Sequence, residues 1–149
     1  HDREVTGRWP LSVSTHRLGL TAMRCAGLLS RLSASGVEID RSGSGLVTEV
    51  YPGASLRLWG FNTSGYRTSQ DLRATLLNSL TAQATWLELG EYEELMISSC
   101  DAFDAVIAAI AARASAVGRT LPPNEDQVST ARVEGWVALP VGPLNTLNE

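Results

Sequence analysis

Lysine is absent from this sequence: all 12 of its basic residues are arginine. Nothing here completes a Gly-Lys-Ser/Thr phosphate loop, and Arg41-Ser42-Gly43-Ser44-Gly45 reads as a turn, neither such a loop nor a nucleophile elbow. An all-arginine set suits planar, bidentate phosphate recognition, and it equally suits a GC-rich genome. Cysteine is scarce. Cys25 and Cys100 lie far apart, in stretches of helical pattern, which excludes metal-binding or redox spacing. Both read as small buried apolar residues in a reducing compartment. No apolar run nears the roughly 20 residues of a membrane helix, the best candidate being Ala105–Ala112. The polar opening carries no cleavable signal, so the chain reads as cytoplasmic, with no membrane partner. It opens on His1-Asp2-Arg3-Glu4-Val5 without a Met, which reads as a fragment or a processed product.

What is present suits one soluble globular domain spanning 1–149. The 149 residues are 44% apolar and 19% charged, which excludes disorder, collagen and a coiled-coil rod. At this length folding buries roughly 68–70% of the surface, enough for a core without disulfides or a structural metal. The net charge of −4 is unevenly spread. Up to Thr75, nine arginines face six acids; beyond it, three arginines face ten acids. An anionic partner would meet the first part.

Periodicity predicts a helix over 15–34, with Leu18, Ala22, Cys25, Leu29 and Leu32 on one stripe and Gly36 as its stop. Arg17, Arg24 and Arg31 recur every seven residues, a phosphate-facing ridge or simply the wet face of that helix. Leu46–Tyr51 is β-branched and aromatic and predicts a buried strand ending at Pro52-Gly53. A short helix over 54–59, a loop over 60–69 and a helix over 71–81, with Leu72, Leu76, Leu77 and Leu80 inward, follow. Glu88, Glu91, Glu93 and Glu94 read as a solvated face. Ser98-Ser99 offers a cap to a helix running to Gly118, with Phe103, Ile107, Ile110, Ala114 and Val117 as its apolar stripe. Glu134–Pro140 predicts a short strand or edge segment, and the last nine residues read as frayed.

Three acids could carry chemistry. Glu49 lies within the predicted strand, where burying a carboxylate is costly unless a metal, an arginine or a hydrogen-bond donor meets it. Asp101 and Asp104 share one face at the start of the last long helix, above small residues that would let the helix approach a sheet. Together they form a hard-oxygen set suited to Mg²⁺ or Mn²⁺, and two such ions can activate water and stabilise a leaving oxygen in phosphodiester hydrolysis. Acids in a first helical turn also follow from the helix dipole alone, each worth about 0.3–1 kcal/mol.

Five ordered segments carry a resemblance. These are Glu49-Val50-Tyr51-Pro52 with Leu56-Arg57-Leu58-Trp59-Gly60; Gly65-Tyr66-Arg67; Asp101-Ala102-Phe103-Asp104-Ala105; Glu134-Gly135-Trp136-Val137-Ala138-Leu139-Pro140; and, near the start, Trp9-Pro10 with Ser12-Val13-Ser14. Together they resemble domain-of-unknown-function family 429, described as predicted nucleases of ribonuclease H-like fold. The resemblance implies an α/β domain whose opening three-stranded meander, with its first carboxylate, would precede His1. It implies Glu49, Asp101 and Asp104 as catalytic metal ligands for Mg²⁺ or Mn²⁺. Tyr66 and Arg67 would be substrate contacts, or would simply close a loop. Cys100 stands where the family tends to have an acid, and Tyr66-Arg67 where it tends to have Tyr-Lys. The function implied is a metal-dependent nuclease acting on nucleic acid. The rival is a non-catalytic binding or scaffold module, forming a homodimer or completed by a partner that donates strands to a sheet edge.

Overall fold

The computed structural model describes residues 4–5 and 19–148. The expectations for Trp9, Pro10, Ser12–Ser14, Arg17 and Leu18 lie outside the described residues. Within them the chain is helical: α1 (Leu20–Ala34), α2 (Pro52–Leu58), α3 (Gln70–Gln83), α4 (Tyr92–Ser98), α5 (Cys100–Ala116), α6 (Val128–Glu134) and a closing 3₁₀ turn (Leu144–Asn148).

The α/β, ribonuclease H-like architecture is therefore corrected. Among the described residues β-pairing is limited to two isolated bridges, Glu49 to Val137 in parallel and Thr120 to Pro140 antiparallel. The run Leu46–Tyr51 has strand composition but does not form a strand: Leu46 is 89% exposed. The physical reason lies in pairing. Strand preference describes how a side chain fits a pleated surface, and without neighbouring strands that preference has nothing to act on. One rung does form, Ala138 N–H donating to the Glu49 carbonyl at 2.8 Å. Proline ends both segments, at Pro52 and Pro140, and neither residue has an N–H to extend a ladder. A strand donated by a partner would need a sheet edge, and the described residues hold none.

The chain divides into two compact units. One comprises His1–Thr48 with Pro123–Trp136, the other Glu49–Pro122 with Val137–Glu149. In the first, α1 buries no residue: Leu20, Met23 and Leu28 are about half exposed or more, and Cys25 is exposed, correcting the expectation that it is buried. The helix stops where expected. Gly36 takes φ +90°, and the 6→1 and 5→2 bonds from Val37 N to Leu32 O and from Gly36 N to Ser33 O close its last turn. The turn after it is an Asx turn, Ser42 N–H donating to Asp40 at 2.8 Å, and hydrogen bonding from Ser42, its side chain first and then this N–H, holds the Asp40 carboxyl below its ordinary pKa. Arg41 then reaches the Glu134 carbonyl at the end of α6.

The second unit owns the core. Leu56, Leu77, Leu80, Met96, Phe103, Ile107, Leu144 and Leu147 are all essentially inaccessible. The stripe expected on α5 is buried at Phe103, Ile107, Ile110 and Ala114, whereas Val117 is 39% exposed. Small residues on α5 serve helix packing in place of sheet packing, and α5 lies against both α2 and α4. Glu91, Glu93 and Glu94 are solvated, as expected. Among the described residues, the C-terminal segment to Asn148 is not frayed. Leu144 and Leu147 are buried, and Arg113 of α5 donates through Nε to the Leu147 carbonyl. Leu147→Ala should therefore cost about 2–5 kcal/mol, the range for truncating a core leucine. Urea denaturation checks this, and a change below about 0.5 kcal/mol, the surface range, would show the 3₁₀ turn to be peripheral.

Candidate functional site

The arrangement begins at Ser99. Its backbone N–H donates to the Leu95 carbonyl at the end of α4, and its hydroxyl caps α5 by accepting from Ala102 N–H at 3.2 Å. One extended residue thus separates two helices whose directions differ by 118°. The short gap places the carbonyls that end α4 beside the start of α5, which carries Cys100 and Asp101 in its first turn and Asp104 just after.

Those carbonyls are met by Arg73 of α3. Arg73 is 4% exposed, and its guanidinium donates Nε to Ile97 O at 2.7 Å, Nη2 to Ser98 O at 3.3 Å and Nη1 to Tyr66 O at 2.6 Å. A buried cation served by three carbonyl oxygens keeps charge-assisted hydrogen bonds in place of hydration. It also locks the Tyr66 backbone to the α4–α5 junction.

So fixed, Tyr66 projects a phenol that is 3% exposed and packs on Phe103 with ring centroids 5.5 Å apart. Its hydroxyl donates to Asp104 Oδ1 at 2.8 Å and accepts from Arg67 Nε at 3.1 Å. Arg67 Nη2 completes the ring with Asp104 Oδ2 at 3.2 Å. Arg67 is 49% exposed and Asp104 24%, so one side of the cluster opens to solvent. Burial pushes the Tyr66 phenol up to about 12, and it stays a neutral donor at any physiological pH. Beside it, burial and then the Asp104 carboxylate raise the Cys100 thiol, which disfavours a thiolate nucleophile.

Three of the five expected site residues, Tyr66, Arg67 and Asp104, are thus brought together. Asp101 is exposed one turn away. Glu49 is half-buried at its bridge with Val137. Among the described residues no three His, Cys, Asp or Glu side chains form a group able to hold a metal ion. Both Asp104 oxygens are already engaged with Tyr66 and Arg67. In this arrangement Glu49, Asp101 and Asp104 do not fit the shared-carboxylate site that Mg²⁺ or Mn²⁺ hydrolysis requires.

Two arginines next to the cluster escaped the sequence reading. Arg73 carried a signal: with Leu76, Leu77 and Leu80 it completes an i, i+3, i+4, i+7 set, whereas Leu72, expected inward, is 48% exposed. Arg57 carried none beyond its place in the motif ending at Gly60. Its Nη1 lies 3.6 Å from the point a side chain on Gly53 would first occupy, and Arg67 Nη2 lies 3.7 Å from that same point.

The sequence pattern of the family described as "Protein of unknown function (DUF429)" matches residues 2–128, and the chain belongs to that family. The matched residues include Glu49, Tyr66, Arg67, Asp101 and Asp104; the Glu134–Pro140 segment lies beyond them. No curated protein and no solved structure matches the chain.

A pH dependence follows from Tyr66. Its folded-state value, about 12, lies above its ordinary 10.0, so the stability associated with the neutral phenol is complete below pH 10 and is lost as pH rises toward 12. Denaturation across that window should show this decline, and Tyr66→Phe should lack it. An equal decline in the variant would assign it to other groups.

Proposed function

We propose that the Tyr66–Arg67–Asp104 cluster is where this protein meets the phosphodiester backbone of nucleic acid, in the cytoplasm. The observation that carries the reading is the preset guanidinium. Arg67 is held in place by a neutral phenol and a carboxylate yet remains half exposed. It uses two of its five N–H donors within the cluster, leaving a planar fork for phosphate oxygens. Asp104 acts here as a positioning residue, and Tyr66 as the rigid spacer between helix and loop.

A metal-dependent nuclease is the second reading. Asp101 and Asp104 favour it, standing three apart near the start of α5 with Asp101 exposed. Hydrolysis through them would require Asp104 to exchange Arg67 for an ion and further ligands to join, so no step is assigned to a metal here.

Fluorescence anisotropy with labelled single strands, duplexes and junctions tests the first reading. Arg67→Gln should weaken binding across all sequences alike and lower the slope of log affinity against log salt by about one. An unchanged slope would remove Arg67 from the interface, and no affinity of the native protein for any of the three would overturn the reading. A cleavage assay in Mn²⁺ separates the two readings. Cleavage that Asp101→Asn and Asp104→Asn each abolish supports the nuclease, whereas binding without cleavage supports the module.

A further inference from the structure

We infer that α1 docks a second copy of this chain, its outer face seating on the acidic face of α4 in that copy.

The register of α1 carries two faces. Leu29 and Leu32, on the stripe expected to turn inward, are half-buried. Leu20, Met23, Arg24, Gly27, Leu28 and Arg31 follow an i, i+3, i+4, i+7, i+8, i+11 series, which an α-helix gathers on its other side. All six are exposed, Leu20 by 54%, Met23 by 61% and Leu28 by 49%. At the centre of this face no atom lies within 4 Å of the place a side chain on Gly27 would take, so a facing backbone could come close there. A contiguous apolar face left bare marks an interaction site.

The charges select its occupant. α1 holds Arg24 and Arg31 and no acid, so pairing α1 with itself would set like charges together. The segment Glu88–Glu94 holds four carboxylates and no base. Glu91, at the N-cap of α4, shares a face with Glu94 and Leu95 by i, i+3, i+4 spacing, and Tyr92 stands beside them. Leu95 is 51% exposed and Tyr92 59%. Each face thus mixes large apolar side chains with charge of one sign, and the signs are opposite. Among the described residues, none of Arg24, Arg31, Glu91 and Glu94 already has an oppositely charged partner. A phosphate backbone would meet the arginines and leave Leu20, Met23 and Leu28 wet, whereas a face with its own exposed tyrosine and leucine covers both. Complementary charge chooses which faces meet, and apolar burial holds them.

Sedimentation velocity of the full chain over a concentration series reads the association. The native chain should self-associate, and more weakly at about 0.5 M salt than at about 0.05 M, because salt screens the charges. Two variants each reverse one face: Arg24→Glu with Arg31→Glu, and Glu91→Arg with Glu94→Arg. Each alone should associate at least about tenfold more weakly, and an equal mixture of the two should regain association, since each then meets its opposite on the other. All four positions are exposed, so circular dichroism should match the native protein. Should a reversed variant lose helix content, its glutamine counterpart takes its place, with the same weakening expected. Met23→Ser should weaken association without changing its salt dependence. A native chain that stays monomeric up to about 1 mM overturns the pairing, as does a mixture that associates no better than its parts. If the native chain is monomeric and the α1 reversal instead weakens strand binding by anisotropy, α1 faces nucleic acid and the second copy is ruled out.

Discussion

The buried guanidinium of Arg73 is the contact on which the rest of the second unit depends. Helix ends leave carbonyls without partners, and α4 ends in a partly buried setting where a side chain meets them. Arg73 serves two of them, Ile97 and Ser98, and spends its third nitrogen on Tyr66. A positive charge at a helix C-terminus is also favoured by the helix dipole. One side chain thus fastens the loop bearing Tyr66 and Arg67 to the junction that launches α5. Lysine could not do this, since one ammonium cannot present a planar fork to three separate carbonyls. The absence of lysine from the chain acquires a local meaning at this position.

The cluster beyond Arg73 follows from that fastening. With Tyr66 fixed, its ring falls on Phe103 and its hydroxyl on Asp104, one residue further along α5. Phe103 looks into the core, and Asp104 looks toward solvent. Arg67 closes the ring from the exposed side. The chemistry of the site is therefore that of an organised cation with a neutral phenol beside it. The proposed recognition role leaves this ring of contacts intact, whereas any hydrolytic role has to displace the contact between Arg67 and Asp104.

Much of the helical framework was legible in the sequence, and the sheet was misread for a definite reason. The Ser99 cap, the Phe103–Ile107–Ile110–Ala114 stripe and the Gly36 and Gly118 stops follow from local rules that need no knowledge of distant residues. Leu46–Tyr51 obeyed the local rule for a strand as well. Whether it becomes one depends on partners elsewhere in the chain, which the segment itself does not encode. The burial of Leu144 and Leu147 was missed because a polar, proline-containing tail hides two leucines spaced to meet α5. At the site, pairing Tyr66 and Arg67 with Asp104 spans more than 35 positions, and only the family resemblance brought those segments to notice together. Arg73 was readable in principle, as a charge standing in an apolar register.

The central claim is that Arg73 assembles the Tyr66 cluster, and the phenol itself reports on it. An ultraviolet titration of Arg73→Met, with helix content checked by circular dichroism, measures this directly. If Arg73 is what holds Tyr66 in its buried setting, the ionisation near pH 12 in the native protein should move down toward the ordinary 10.0 in the variant while the helices persist. A Tyr66 that still ionises near 12 in folded Arg73→Met would contradict the account, since the cluster would then stand without its anchor.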